Sequence, residues 1–216
     1  RYGNMNIGAI TLGTSRVEDD GSVIGGMMRT APAAADLSLD GKLDWIYLNN
    51  KELSSYNKKS NVESLISNLT LIGKAQADPI SKKTKTAFSY FDGMTPKSEE
   101  DSHLAYVFQG EGSGLEFSLP GSTEMKYVNL YAGAWASDVK IELLVNDKVQ
   151  YTTGFESAST VNDSTSYQVA KLQYKTASVE DKVKVRATVT KTYDKTWGNM
   201  NVSAVTVSDE EPANLE

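Results

Sequence analysis

Alternation of apolar and polar residues with a period of two runs through most of this 216-residue chain, and it restricts the fold more than any other feature. In Val139-Lys140-Ile141-Glu142-Leu143-Leu144-Val145 the odd positions are all aliphatic, the pattern of a strand with one buried face. Asn146-Asp147-Lys148 follows as a tight turn into Val149-Gln150-Tyr151, which predicts a hairpin. Lys182 to Thr190 repeats the alternation with Val183, Val185, Ala187 and Val189 inward. Further short strands are predicted over Leu37 to Leu48, Thr84 to Phe91, Leu104 to Phe108, Leu115 to Leu119, Met125 to Trp135, Tyr167 to Tyr174 and Met200 to Val207. Only Val62 to Leu69 reads as helical. Many short strands with Gly, Asn and Asp between them predict an all-β fold, an antiparallel β-sandwich or jelly roll with one short helix.

The two ends of the chain carry nearly the same segment. Tyr2 to Leu12 (YGNMNIGAITL) and Trp197 to Val207 (WGNMNVSAVTV) match at six of eleven positions, at a constant offset of 195 residues. That offset is the length of a domain, not of a short solenoid repeat. Residues 1–13 are therefore expected to be the last strand of a preceding repeat. Residues 14–35 lack alternation and hold Ala31-Pro32-Ala33-Ala34-Ala35, so they read as an inter-repeat linker. Residues 36–208 are expected to form one complete module and 209–216 a tail. The leading copy is expected to pair along an open sheet edge of this module or of a neighbouring molecule.

Composition narrows the chemistry. There is no cysteine, which removes disulfides, thiolate metal sites and cysteine nucleophiles, and a cysteine-free β-rich repeat fits a bacterial surface protein. The formal net charge of −6 argues against nucleic acid and anionic membranes as partners, and no apolar run approaches the roughly 18 residues that span a bilayer. A single histidine, His103, is not set beside any nucleophile-elbow pattern, and the chain has no HExxH, so no catalytic residues are expected and the chain is read as a non-enzyme. No cofactor is expected. A structural calcium ion is the one metal the pattern leaves open, at Glu18-Asp19-Asp20-Gly21 or Asn162-Asp163, although neither follows the EF-hand spacing.

Two surfaces are candidates for binding. On the predicted strand Met125 to Trp135, Val128, Leu130, Ala132 and Ala134 form a core face. The opposite face carries Tyr127, Asn129, Tyr131 and Trp135. Flat rings in a row stack on sugar rings and equally serve a protein partner, or they pack beneath a loop. The second candidate is the outward row Lys182, Lys184 and Arg186, which suits an acidic glycan or protein unless it is a charged strand face. Trp45 is expected in the core, with Asp44 bonding the backbone of a turn.

Asp36, Leu37, Gly41, Asp44 and Trp45, in DLSLDGKLDWIYL, resemble the opening of a β-sandwich repeat of large secreted and wall-anchored bacterial proteins. Phe88-Ser89-Tyr90-Phe91-Asp92-Gly93 (with Tyr90 where Trp is usual), Leu130 to Trp135 and Gly198-Asn199 extend the resemblance over most of 36–207. The resemblance implies a non-catalytic, attachment-type module of the kind that accompanies carbohydrate-active domains, placed outside the cell at a bacterial surface. In organisation the chain is also similar to tandem repeats of gut bacteria that bind host immunoglobulin as superantigens. The leading expectation is thus an adhesin-like repeat engaging a host glycoprotein or immunoglobulin, alongside neighbouring repeats of its own chain. The alternatives are a carbohydrate-binding module that uses an aromatic sheet face, and a passive spacer.

Overall fold

The computed structural model describes residues 14–17, 21–67, 69–81, 84–161 and 163–210. The leading copy of the repeated segment, the acidic residues Glu18 to Asp20 and Asn162 lie outside the described residues.

In chain order the strands are β1 (Thr14–Val17), β2 (Val23–Thr30), β3 (Ala34–Asp36), β4 (Asp44–Tyr47), β5 (Asn57–Lys58) and β6 (Thr70–Ile72). There follow β7 (Ala75–Ser81), β8 (Ala87–Tyr90), β9 (Glu99–Ser102), β10 (Ala105–Gln109), β11 (Gly114–Pro120) and β12 (Lys126–Trp135). The last five are β13 (Ser137–Val145), β14 (Lys148–Ser157), β15 (Ser166–Lys175), β16 (Lys182–Thr192) and β17 (Asn199–Ser208). One helical turn, α1 (Leu37–Asp40), lies between β3 and β4.

Strands β10 to β17 build a jelly roll on their own. One sheet contains the order β15-β12-β17-β10 and the other β14-β13-β16-β11, so the chain crosses repeatedly from sheet to sheet. The first sheet grows to nine strands by adding β1, β2 and β7 at its edges and β4 and β5 beside β17; the second takes β6 as a fifth strand. All pairings within these two sheets are antiparallel. A third, small sheet, β3-β8-β9, lies apart and includes one parallel pair, β3 with β8. Pro79 sits in β7, the edge strand of the nine-stranded sheet, where an absent N–H costs no ladder bond.

The principal core fills the space between the two large sheets. Val128, Leu130, Ala132 and Ala134 of β12 face it, with Val183, Val185, Ala187 and Val189 of β16 and Ile141 and Leu143 of β13 opposite. Each fully buried Val, Leu or Phe contributes about 1.5–3 kcal/mol, so this layer dominates stability. A second core has formed on the outer face of the nine-stranded sheet. There Trp45, Tyr47, Tyr131, Val169 and Ala204 meet Ala35, Leu37, Phe88 and Tyr90 of the small sheet and α1. The rings form one train, Trp45-Tyr90-Tyr47-Phe88-Tyr131, each pair tilted or edge-on, with Trp45 to Tyr90 at 4.8 Å and Phe88 to Tyr131 at 5.2 Å.

The motif residues that gave the resemblance pin this cap. Asp36 Oδ1 accepts the N–H groups of Ser38 (2.9 Å) and Leu39 (3.2 Å) and caps α1, so the predicted strand over Leu37 to Leu48 is a helical turn followed by β4. Trp45 is fully buried, as expected, and donates its Nε1–H to Asp92 Oδ1 at 2.9 Å. Asp92 also accepts from Ser38 and Lys59. Asp44 Oδ1 accepts from the Trp45 N–H, and its Oδ2 accepts from the N–H groups of Leu65 and Ile66.

That last contact corrects the predicted helix over Val62 to Leu69. Its described residues form no helix, because the N–H groups of Leu65 and Ile66 are taken by Asp44 and Ile66 is inserted into the principal core. The linker reading of residues 14–35 is corrected as well. Val23–Thr30 pairs along its whole length with β15, from Val23 opposite Lys175 to Thr30 opposite Gln168, and β1 pairs with it in turn. The sandwich therefore reaches back beyond Asp36. Gly25 and Gly26 erased the alternation in the sequence; a Cβ at Gly26 would lie 2.6 Å from the Lys171 carbonyl oxygen.

Candidate functional site

The cap covers only part of the outer face of the nine-stranded sheet. The rest is an open cleft of about 950 Å³, floored by β10, β17, β12 and β15. Across the floor, register sets Val107 of β10 opposite Asn201 of β17, Asn201 opposite Gly133 of β12, and Gly133 opposite Tyr167 of β15. Residues directly opposite share a face, so this row is contiguous. One step along, Trp135 stands opposite Asn199.

Two tryptophans flank the floor. Trp135 ends β12 and donates its indole N–H to the Val161 carbonyl at 3.1 Å, which fixes the ring plane against the loop before β15. Trp197 precedes β17 and is 56% exposed. Its backbone is held by Asp194 Oδ1, which accepts the N–H groups of Thr196 (2.9 Å) and Trp197 (2.8 Å). Asn199 Nδ2 then donates to the Trp197 carbonyl at 2.8 Å, and Gln109 Nε2 donates to that of Thr196. An exposed indole on so well-tied a loop is carried by a preorganised backbone: little loop entropy is left to lose when something stacks on it. Tyr167 adds a third ring; burial pushes its phenol pKa up, so the hydroxyl stays neutral near pH 7. Gln76, Asp78, Lys85, Asp163 and Thr165 supply polar groups around the rings.

The predicted aromatic row is divided by this arrangement. Tyr127, Asn129, Tyr131 and Trp135 do share the face opposite the principal core, but the cap covers the middle of it. Tyr131 is buried in the second core and donates to Asp40 Oδ2 at 2.9 Å. Asn129 is also buried and donates to Thr206 at 3.2 Å. Tyr127 is half-buried at the far end of the strand, roughly 27 Å from Trp135 at about 3.4 Å per residue. Of the four, Trp135 alone lines the cleft.

The basic row is corrected too. Arg186 pairs with Glu116 at 2.7 Å, and Lys184 lies 2.7 Å from Asp147 and 3.5 Å from Glu116. Register explains this, since Arg186 sits between Glu116 of β11 and Glu142 of β13. Only Lys182 stands exposed beside them, so the row is a neutralised strand face and not an anion site. His103 accounts for itself structurally: its Nδ1 donates to the Thr84 carbonyl at 2.7 Å, and its Nε2 lies 3.4 Å from Asp101. Among the described residues there is no cluster of three or more metal-ligating side chains, and the acidic loop that left calcium open falls mostly outside them.

Trp197, Asn199, Asn201 and Tyr167 were not named as binding residues from the sequence. The signal was nevertheless present: Trp197, Asn199 and Asn201 fall within the repeated segment, with Tyr2, Asn4 and Asn6 as their counterparts.

No protein-family model matches the chain, and no curated protein matches it. Solved structures that it resembles include TmCBM61 in complex with β-1,4-galactotriose, at 12% identity over 67% of this chain and 90% of that one, with a TM-score of 0.38. Another is the carbohydrate-binding module CBM36 in complex with calcium and xylotriose, at 12% identity over 65% of this chain and 98% of that one, TM-score 0.33. The xylan-binding module CBM15 matches at 14% identity over 64% of this chain and 94% of that one, TM-score 0.32.

Proposed function

We propose that the chain is a non-catalytic carbohydrate-binding module that holds a stretch of oligosaccharide in the cleft of its nine-stranded sheet. The observation that carries this reading is the pair Trp135 and Trp197 flanking an uncovered sheet surface set with amides. Sugars present apolar C–H faces and polar edges; rings take the faces, and side-chain amides and hydroxyls take the edges. A concave floor with fixed rings suits a slender chain better than the broad contact, roughly 800 Å² per partner, of a stable protein interface. The carboxylates at the cleft, Asp78 and Asp163, are both exposed, and Asp78 is paired with Lys51 at 2.9 Å, which gives no enclosed acid–base pair for hydrolysis.

A second reading has its own surface. Leu39, Phe91 and Met94 protrude from the cap loops, exposed by 54%, 57% and 57%, and such side chains suit a protein ligand, immunoglobulin or another host glycoprotein among them. Placement at a bacterial surface belongs to both readings.

The test is titration calorimetry with xylotetraose, cellotetraose and β-1,4-galactotetraose, on the wild type and Trp197→Ala. The cleft reading predicts that at least one sugar binds and that the variant loses about 2 kcal/mol, roughly 30-fold in affinity, with its melting temperature nearly unchanged. No sugar binding, together with capture of immunoglobulin that Phe91→Ala abolishes, would favour the cap surface instead.

A further inference from the structure

The two copies of the repeated segment differ on one face of β17 and agree on the other. Toward the principal core the strand sends Met200, Val202, Val205 and Val207, whose counterparts are Met5, Ile7, Ile10 and Leu12. Three of those four positions differ, each by a swap between branched aliphatic side chains, so the core asks only for apolar volume. The opposite face carries Asn199 and Asn201 in the cleft, Ala204 in the second core and Thr206 beside Asn129. Asn4, Asn6, Ala9 and Thr11 match all four. The one swap of dissimilar shape, Ser203 for Gly8, falls at the bulge, where Ser203 has no partner on β12.

The agreement extends to the rim of the cleft. Trp197 is 56% exposed, so packing sets little demand for a ring there, yet its counterpart is also a ring, Tyr2. The residues that hold the ring are repeated with it. A Cβ at Gly198 would lie 2.6 Å from the Asp194 carbonyl oxygen and 2.8 Å from that of Ala136, so only glycine lets the chain pass so close to both; Gly3 is its match. Asn199 ties the Trp197 carbonyl through its side-chain amide, and Asn4 is its match. Ring, glycine and tying amide thus recur as one unit, Tyr2-Gly3-Asn4. A ring repeated together with the means to expose it answers a demand of binding, not of packing.

We propose, on the basis of the carbohydrate reading, that Tyr2 to Leu12 is the cleft strand of a second, preceding module that binds the same class of oligosaccharide, with Tyr2 as its rim ring. The protein then meets one polysaccharide at two successive sites, and linked sites gain affinity without any new contact. Tyr presents a smaller face than Trp, so the preceding cleft is the weaker of the two.

The experiment asks whether the residues of the leading copy can build a working cleft, by placing them in β17 of this module. The whole chain is made with Trp197→Tyr alone, and with Trp197→Tyr, Val202→Ile, Ser203→Gly, Val205→Ile and Val207→Leu together, beside Trp197→Ala. Affinity for xylotetraose, cellotetraose and β-1,4-galactotetraose, and the melting temperature without ligand, are read for each. The proposal predicts that both tyrosine variants bind the sugar preferred by the wild type within about fivefold of its affinity, whereas Trp197→Ala loses about 30-fold. Trp197→Tyr as weak as Trp197→Ala would overturn the proposal and leave the carbohydrate reading intact. So would a folded five-residue variant that prefers a different sugar. Should the enlarged core side chains keep the five-residue variant from folding, Trp197→Tyr alone decides. Full affinity in Trp197→Ala would also overturn the proposal, by showing that the rim ring makes no contact. A wild type that binds none of the three sugars would bring down the carbohydrate reading and this proposal together.

Discussion

Three buried or partly buried carboxylates hold the cap to the sandwich, and their environments set them apart. Asp44 is almost completely buried, and its two oxygens accept three backbone N–H groups at 2.8, 2.8 and 2.9 Å. Burial raises its pKa and the three donors pull against that. Asp44→Asn turns an NH₂ group toward at least one of those N–H donors, so it is expected to cost about 2–4 kcal/mol in a denaturant titration. Asp40 differs, because its main side-chain partner is the Tyr131 hydroxyl. Burial is again the largest influence and raises its pKa, with a smaller push from Asp36. A carboxyl whose pKa is raised by folding binds its proton more tightly in the native state. Stability therefore rises as pH falls from above the folded pKa toward the ordinary value of 3.8, and levels off below it. Asp40→Asn, which still accepts from Tyr131, is expected to flatten that part of the pH profile and to be at least as stable as wild type at pH 7. Asp92 works in the opposite sense. Burial disfavours its charge, but Lys59, Ser38 and Trp45 outweigh burial and lower its pKa, so its contribution is lost only as pH falls below the ordinary carboxylate range.

At the scale of elements, the chain shows where alternation is a sufficient guide and where it is not. Strands with one face in the principal core and the other toward solvent, such as β16 and the first half of β13, were legible because burial itself alternates along them. The turn between β13 and β14 was legible in Asn146-Asp147, which adopts φ of 49° and 63°. Strand β2 was not, since Gly25 and Gly26, the latter required by close approach to β15, leave no alternation to read. The helix expected over Val62 to Leu69 failed for a non-local reason: a carboxylate 21 residues away in sequence captures the N–H of Leu65. Tyr131 misled in the same way. Its parity on β12 was read correctly, but a sheet face opposite one core gives no sequence sign of whether a second layer covers it. The membership of β2 in the sandwich has a direct consequence. Gly26→Val forces a Cβ against the Lys171 carbonyl, and it is expected to cost several kcal/mol and to speed amide exchange in Ala170 to Gln173 ahead of β13. Exchange confined to β2 itself, with β15 unchanged, would return the segment to the status of a linker.

For the whole molecule, the division of one sheet face decides the functional reading. The same strands β12, β15 and β17 support a closed aromatic core under the cap and an open aromatic cleft beyond it. On the second large sheet the outward charges of Glu116, Glu142, Lys184 and Arg186 pair with one another. No helix among the described residues is long and apolar enough to cross a membrane. The three tryptophans are distributed so that one optical experiment can address the central claim: Trp45 is fully buried in the cap, while Trp135 and Trp197 line the cleft. Tryptophan emission should be followed during titration with the tetrasaccharide that binds most tightly, in the wild type and in Trp135→Phe/Trp197→Phe. If the cleft is the binding site, the wild type shifts or quenches with saturation, and the double variant, reporting Trp45 alone, shows no change. A sugar that binds by calorimetry yet leaves wild-type emission untouched would place its site elsewhere and contradict the account.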